Sequence, residues 1–181
     1  MNPTRLRSIH ASAYRALMLQ AYGQHPEAFT SSVAERATLP LSWWEQRLAE
    51  GEAPPELVLG CLPQGELAGV AGLAFEQRER TRHKASLFGM YVAPAFRCQG
   101  LGDSLVAQAL TCAAERAGVE IVQLTVSEGN ASARALYARH GFAVFGVEPC
   151  AVALGAGYLT KLHLWRLLRP GQGATEVLSL G

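Results

Sequence analysis

Arg97-Cys98-Gln99-Gly100-Leu101-Gly102 places a cation and two glycines between a compact apolar run and the longest helical pattern in the chain. A helix amino terminus leaves backbone N–H groups without intrahelical partners and carries a partial positive charge, so such a junction attracts anions. Gly100 and Gly102 have no Cβ, which lets a phosphate approach the main chain and permits φ values that other residues resist. The chemistry implied is the holding of a phosphate or pyrophosphate. No Lys-Ser/Thr pair closes the segment, as a triphosphate-binding loop requires, and the preceding strand does not open a repeating βαβ unit, so a dinucleotide-binding fold fits poorly. On its own, the spacing also describes an ordinary strand-to-helix turn.

Other reactive side chains are scattered. Cys61, Cys98, Cys112 and Cys150 form no Cys-x-x-Cys pair, which argues against a zinc knuckle or redox motif. His10, His25, His140 and His163 show no metal-ligand spacing, and no metal is expected.

The elements that must position the loop follow from periodicity. Residues 85–92 read as a strand ending at Pro94. Residues 101–117 read as a helix with Leu101, Leu105, Val106, Ala109, Leu110 and Ala113 on one side and Gly118 as its stop. Before them come a short strand at 4–9, a helix at 11–24, and a helix at 43–50 whose Ser42-Trp43-Trp44-Glu45 start suits a capping box. Residues 56–62 and 67–75 read as a hairpin around Pro63-Gln64-Gly65-Glu66. After the long helix come a strand at 119–126, a helix at 131–140 ending at Gly141, and strands at 142–147 and 158–168. The class is α/β, a mixed sheet of about seven strands flanked by about four helices. Residues 1–168 are expected to form one domain, and residues 169–181 a mobile tail.

Three segments in order resemble the signatures of the GNAT superfamily of N-acetyltransferases. Arg97 to Gly102 is similar to its Arg/Gln-x-x-Gly-x-Gly/Ala motif and follows Met90-Tyr91-Val92-Ala93-Pro94. Asn130-Ala131-Ser132-Ala133-Arg134-Ala135-Leu136-Tyr137 and Gly141-Phe142 resemble the downstream signature of that superfamily. The resemblance implies a mostly antiparallel sheet splayed between its fourth and fifth strands, with acetyl-CoA as co-substrate in the gap. Met90, Tyr91 and Val92 would meet the pantetheine through main-chain atoms, and Arg97, Cys98, Gln99, Gly100, Leu101 and Gly102 would hold the pyrophosphate. Asn130 would fix the cofactor from the far wall. Many members carry Gly where this chain has Cys98; an extended backbone there would still let its amide donate, so the thiol is read as a tolerated small side chain.

Acetyl transfer needs an amine lone pair, a polarised carbonyl and a proton for the departing thiolate. The resemblance makes Tyr137 the general acid and a main-chain amide at Met90 or Tyr91 the donor to the carbonyl oxygen. Glu76, just past the third strand, is the first choice of general base and His83 the second. Pro26-Glu27-Ala28-Phe29-Thr30-Ser31-Ser32 resembles a Pro-Glu-Ala-Phe-Gly-Ser-Ser segment of some members, so Phe29 and Trp43 are placed at the acceptor. The expected activity is direct acetylation of a primary amine on a small molecule or a protein amino terminus; the alternative is a non-catalytic acyl-CoA-binding or regulatory protein of the same fold.

Composition restricts the partners. The 181 residues carry a formal net charge of +1 with no basic block, which gives nucleic acid no electrostatic footprint. The first residues lack the apolar run of a signal peptide, and no stretch approaches the roughly 20 apolar residues of a membrane helix, so a soluble, cytoplasmic protein with no membrane partner is expected. The resemblance leaves room for a homodimer formed through the last strands.

Overall fold

The computed structural model describes residues 2–48 and 50–168; the tail expected at 169–181 lies outside the described residues. Seven strands, β1 (Thr4–Arg5), β2 (Glu56–Cys61), β3 (Gly69–Phe75), β4 (Lys84–Val92), β5 (Ile121–Ser127), β6 (Ala143–Leu154) and β7 (Gly157–Leu167), form a single sheet in the order β1-β2-β3-β4-β5-β7-β6. All neighbours are antiparallel except β4 and β5. Among the described residues there are five α-helices: α1 (Ala11–Gln24), α2 (Val33–Ala37), α3 (Leu41–Arg47), α4 (Leu101–Glu115) and α5 (Ala131–Arg139). None is long and apolar enough to cross a membrane.

The parallel pair is short. A parallel connection needs a crossover element, here α4, and β4 matches β5 only from Lys84↔Ile121 to Ser86↔Gln123. Beyond Ser86 the two strands separate, which is the splay the resemblance implies, and the β5-facing edge of β4 has no strand partner among the described residues.

Each face of the sheet has its own core. The side of α4 bearing Leu101, Leu105, Val106, Ala109, Leu110 and Ala113 is buried, as its spacing predicts, against Leu59, Ala71, Leu73, Val122 and Leu124. Full burial of each such Leu or Val is worth about 1.5–3 kcal/mol. On the other face, Tyr14, Leu17 and Met18 of α1 and Trp44 of α3 cover Val58, Val70 and Tyr91. Tyr14 and Trp44 meet edge to face with centroids 5.5 Å apart.

Three local readings are corrected. The first strand stops at Arg5 because Ser8–His10 turn as a 3-10 helix that leads into α1. The capping box falls on the other Ser-x-x-Glu: Ser32 Oγ accepts from the Glu35 amide at 3.2 Å, and the Ser32 amide donates to Glu35 Oε2 at 2.8 Å, starting α2. Pro40 caps α3, which puts Ser42 inside the helix with no capping bond. Finally, β6 runs on past residue 147 to Leu154 and pairs with β7 as a long hairpin closed at Gly155.

Candidate active site

The splay opens a cleft of about 1020 Å³ between β4, the start of α4, α5 and residues 27–29. Its floor is the loop after β4. The helical turn Pro94–Phe96 hands the chain to Arg97, and Gly100 caps α4 in the left-handed region at φ +77. A Cβ built on Gly100 meets nothing within 4 Å, so the open space above it faces the cleft. The amides of Cys98, Gln99, Gly100, Leu101, Gly102 and Asp103 donate to no acceptor among the described residues. A helix start normally leaves four such donors; here two loop amides extend the row. Those donors, with Arg97 beside them, suit a pyrophosphate.

Cys98 departs from expectation. Its φ is +60, in the left-handed region and not extended, and its thiol is exposed. Gln99 turns its side chain away to the Ala95 carbonyl at 3.2 Å and, unlike its neighbours Cys98 and Gly100, does not line the cleft. Asp103, in the first turn of α4, is held by Arg139 at 3.0 Å and His140 at 3.2 Å. The Arg139 guanidinium in particular keeps the Asp103 carboxyl below its ordinary range.

Tyr137 lies on the α5 wall at 7% exposure, packed edge to face on Phe142. Its hydroxyl points across the gap to Met90 Sδ at 3.6 Å. Burial raises its pKa to about 12, so the phenol keeps its proton through the neutral range. Met90 and Val92 turn their side chains to the α4 core, whereas Tyr91 turns to the opposite core and donates to Gln24 Oε1 at 2.9 Å. The Val92 carbonyl accepts from Arg97 Nε at 3.1 Å. Asn130 lines the cleft and caps α5 through a 3.1 Å bond from the Ala133 amide to its Oδ1, leaving its side-chain N–H groups for the cleft.

Residues 25–29 cross the cleft as a strap. His25 Nε2 receives Arg97 Nη2 at 2.8 Å, and His25 Nδ1 lies 3.2 Å from Glu27 Oε1. The Arg97 donor requires the Nε2 lone pair, so Nδ1 carries the proton toward Glu27. At the far side, Ser127 Oγ of β5 donates to the Glu27 carbonyl. Phe29 lines the cleft and stacks edge to face with Tyr22 at 5.2 Å. His25, Glu27 and Ser127 carried no sequence assignment, although Glu27 and Phe29 sit in the one segment matched to an acceptor region.

Three expected residues stand elsewhere. Phase matters for Glu76: Phe75 pairs with Ala85, and the Glu76 amide donates to the Lys84 carbonyl at 3.2 Å, so Glu76 sits at the closed end of the β4–β5 pair. The His83 carbonyl accepts from Glu120 and Ile121 at that same end. Met90 lies about 20 Å away along the strand at roughly 3.3 Å per residue, and neither residue lines the cleft. Trp43 also lies off the cleft wall, its ring held between the guanidinium groups of Arg36 at 4.6 Å and Arg47 at 5.0 Å.

Residues 14–142 match the model of the acetyltransferase (GNAT) family. The mycothiol acetyltransferase of Salinispora arenicola is 32% identical over 132 residues, 72% of this chain and 40% of that protein. The chain thus spans about two fifths of that relative's length. The L-amino acid N-acetyltransferase AaaT of Escherichia coli is 29% identical over 124 residues, 68% of this chain and 75% of that protein. In overall fold the chain is similar to an acetyltransferase of the GNAT family from Streptococcus pneumoniae, with a TM-score of 0.82 at 23% identity over 91% of this chain and 98% of that one. It is also similar to a putative acetyltransferase from Salmonella typhimurium described with its cofactor acetyl-CoA, with a TM-score of 0.75 at 21% identity over 96% and 98% of the two chains.

Proposed function

Because the chain belongs to the acetyltransferase (GNAT) family, we propose that it transfers an acetyl group from acetyl-CoA to the primary amine of a small molecule. One observation carries this: the unspent amides of Cys98 and of Gly100 to Asp103 belong to residues lining the same cleft as Tyr137. The bound acetyl-CoA supplies an acetyl group activated as a thioester. Arg97 and the loop amides bind the pyrophosphate, and the unpaired edge of β4 at Met90 and Val92 receives the pantetheine, the Tyr91 main chain being paired with Val70 of β3. The Met90 amide, on the free edge of β4, donates to the acetyl oxygen, whereas the Tyr91 amide is turned to Val70 of β3. Tyr137 holds its proton where the thiolate departs, and its raised pKa keeps that proton available at neutral pH.

The amine must also lose a proton. Glu76 and His83 are too distant to receive it. Both ring nitrogens of His25 are engaged, whereas Glu27 Oε2 has no bond among the described residues, so Glu27 is assigned the proton, directly or through water. Similarity to the L-amino acid N-acetyltransferase of Escherichia coli favours a small-molecule amine over a protein amino terminus.

Incubation with acetyl-CoA and a panel of amines, followed by free thiol, tests the proposal. Amine-dependent thiol release supports it; tight acetyl-CoA binding with no turnover on any amine would point instead to a non-catalytic binding protein.

A further inference from the structure

Lys161 of β7 stands directly opposite Ser127 of β5 and Glu148 of β6, and opposed residues share one face of a sheet. Ser127 and Thr160 both line the cleft; Lys161 adjoins both of them behind that lining, its ammonium under Thr30 at the end of the strap. Lys161 is 9% exposed, and among the described residues its Nζ has one hydrogen-bond partner, Thr30 Oγ1 at 2.7 Å. An ammonium carries three donors, and one neutral hydroxyl leaves two of them unspent.

The charge has no direct counterion among the described residues. Glu148, opposite in register, gives its carboxylate to His163 Nε2 at 2.7 Å and forms no ion pair with Lys161 within 4.0 Å. Burial pulls the Lys161 pKa below its ordinary range, and the field of Glu148 opposes the shift. The residue after Thr30 makes a similar contact: Ser31 Oγ accepts Arg36 Nε at 3.0 Å and Nη2 at 2.8 Å, and Arg36, also held over the Trp43 ring, has no carboxylate partner among the described residues. A buried charge costs more than a hydrogen bond to a neutral hydroxyl returns. A tie between strap and sheet alone would need no cation.

We propose that Lys161 is the anion anchor of the acceptor site, binding the carboxylate of an acceptor that is both amine and carboxylic acid: an amino acid or a close analogue. The proposal rests on the acetyl-transfer reading above. The two unspent N–H groups of Lys161 take the carboxylate, Thr30 holds the ammonium in place, and Arg36 of α2, bonded to the neighbouring Ser31, adds positive potential.

Matched pairs of amino acids and their carboxamides, spanning α-, β- and γ-amino acids, provide the test, with kcat/KM read from thiol release at saturating acetyl-CoA. The wild-type protein should favour the best acid over its amide by at least tenfold, mainly through KM. K161M should bring that ratio close to one, K161R should keep most of it, and the KM for acetyl-CoA should hold in both. Equal wild-type rates on acids and amides would overturn the anchor while leaving acetyl transfer standing, and that comparison needs no variant to fold. A K161M that lowers acids and amides alike would reduce Lys161 to a structural tie. If no acid or amide is acetylated, the acetyl-transfer reading fails and takes the anchor with it.

Discussion

Replacing Cys98 with glycine should stabilise the protein, although it removes a side chain from the loop proposed to hold the pyrophosphate. Cys98 holds φ +60, where an L-residue loses about 1–2 kcal/mol through contact of its Cβ with the backbone. Glycine relieves that contact but has more freedom to lose on folding, about 0.5–1 kcal/mol. The thiol is exposed, so no burial is sacrificed. The difference is a gain of about 0.5–1 kcal/mol, which for a chain of this size corresponds to roughly 1–4 °C in Tm. Thermal unfolding followed by circular dichroism, with Cys98→Ala as control, measures it. Alanine keeps the Cβ and the strain, so it should stay within about 0.5 kcal/mol of wild type. A lower melting temperature for Cys98→Gly, or an equal gain for Cys98→Ala, would refute the strain assignment.

Tyr137→Phe should lower kcat by roughly 10²–10³-fold, the usual worth of a positioned proton donor, with little change in acetyl-CoA binding measured by calorimetry. Tyr14 and Tyr137 both have pKa values raised to about 12 by burial, so the unfolded phenols ionise first; stability should be intact below pH 10 and decline as pH rises from 10 toward 12, by about 2–3 kcal/mol for each phenol, as urea titrations would show. Asp103→Asn should cost less than about 1 kcal/mol because its partners are solvent-screened. Since the Asp103 pKa is depressed, chiefly by Arg139, that cost should be present above the ordinary Asp range and vanish as pH falls below it. Leu105→Ala, at 0% exposure, should destabilise by about 2–5 kcal/mol in denaturant unfolding.

The long elements were legible because one face of each carries the core. The six buried positions of α4 are those its 3.6-residue period selects. Short elements defeated the same logic: α2, with five residues, is too brief for a period, and only its capping box marks it. Only Ser42 to Glu45 is read as a box from the sequence, and it fails because Pro40 starts α3 at Leu41 and leaves Ser42 inside the helix, whereas Ser32 and Glu35 form one at α2. Glu76 shows a different limit. It follows the end of β3 in the chain, but an antiparallel partner reverses direction, so the start of β3 at Gly69, paired with Val92, is the part beside the cleft. The strap could not be read at all from local pattern, because its anchors on Arg97 and Ser127 lie 72 and 100 residues away.

One irregularity explains how β4 serves two cores and the cleft together. Side chains alternate along a strand, and Ala85 and Leu87 face α4. Strict alternation would send Met90 toward α1 and Tyr91 toward α4. Between Val70↔Tyr91 and Gly72↔Phe88 the β4 side holds one extra residue, and Gly89 takes φ +59 there, the geometry of a bulge opened by glycine. The inserted residue reverses the alternation. Met90 and Val92 then join the α4 side, which brings Met90 to the Tyr137 hydroxyl, and Tyr91 is delivered to α1, where it holds Gln24 at the base of the strap. A residue with a Cβ at position 89 would bear the left-handed strain itself. The bulge therefore couples the Tyr137 wall and the strap through adjacent residues of one strand, so an error at Gly89 would displace both.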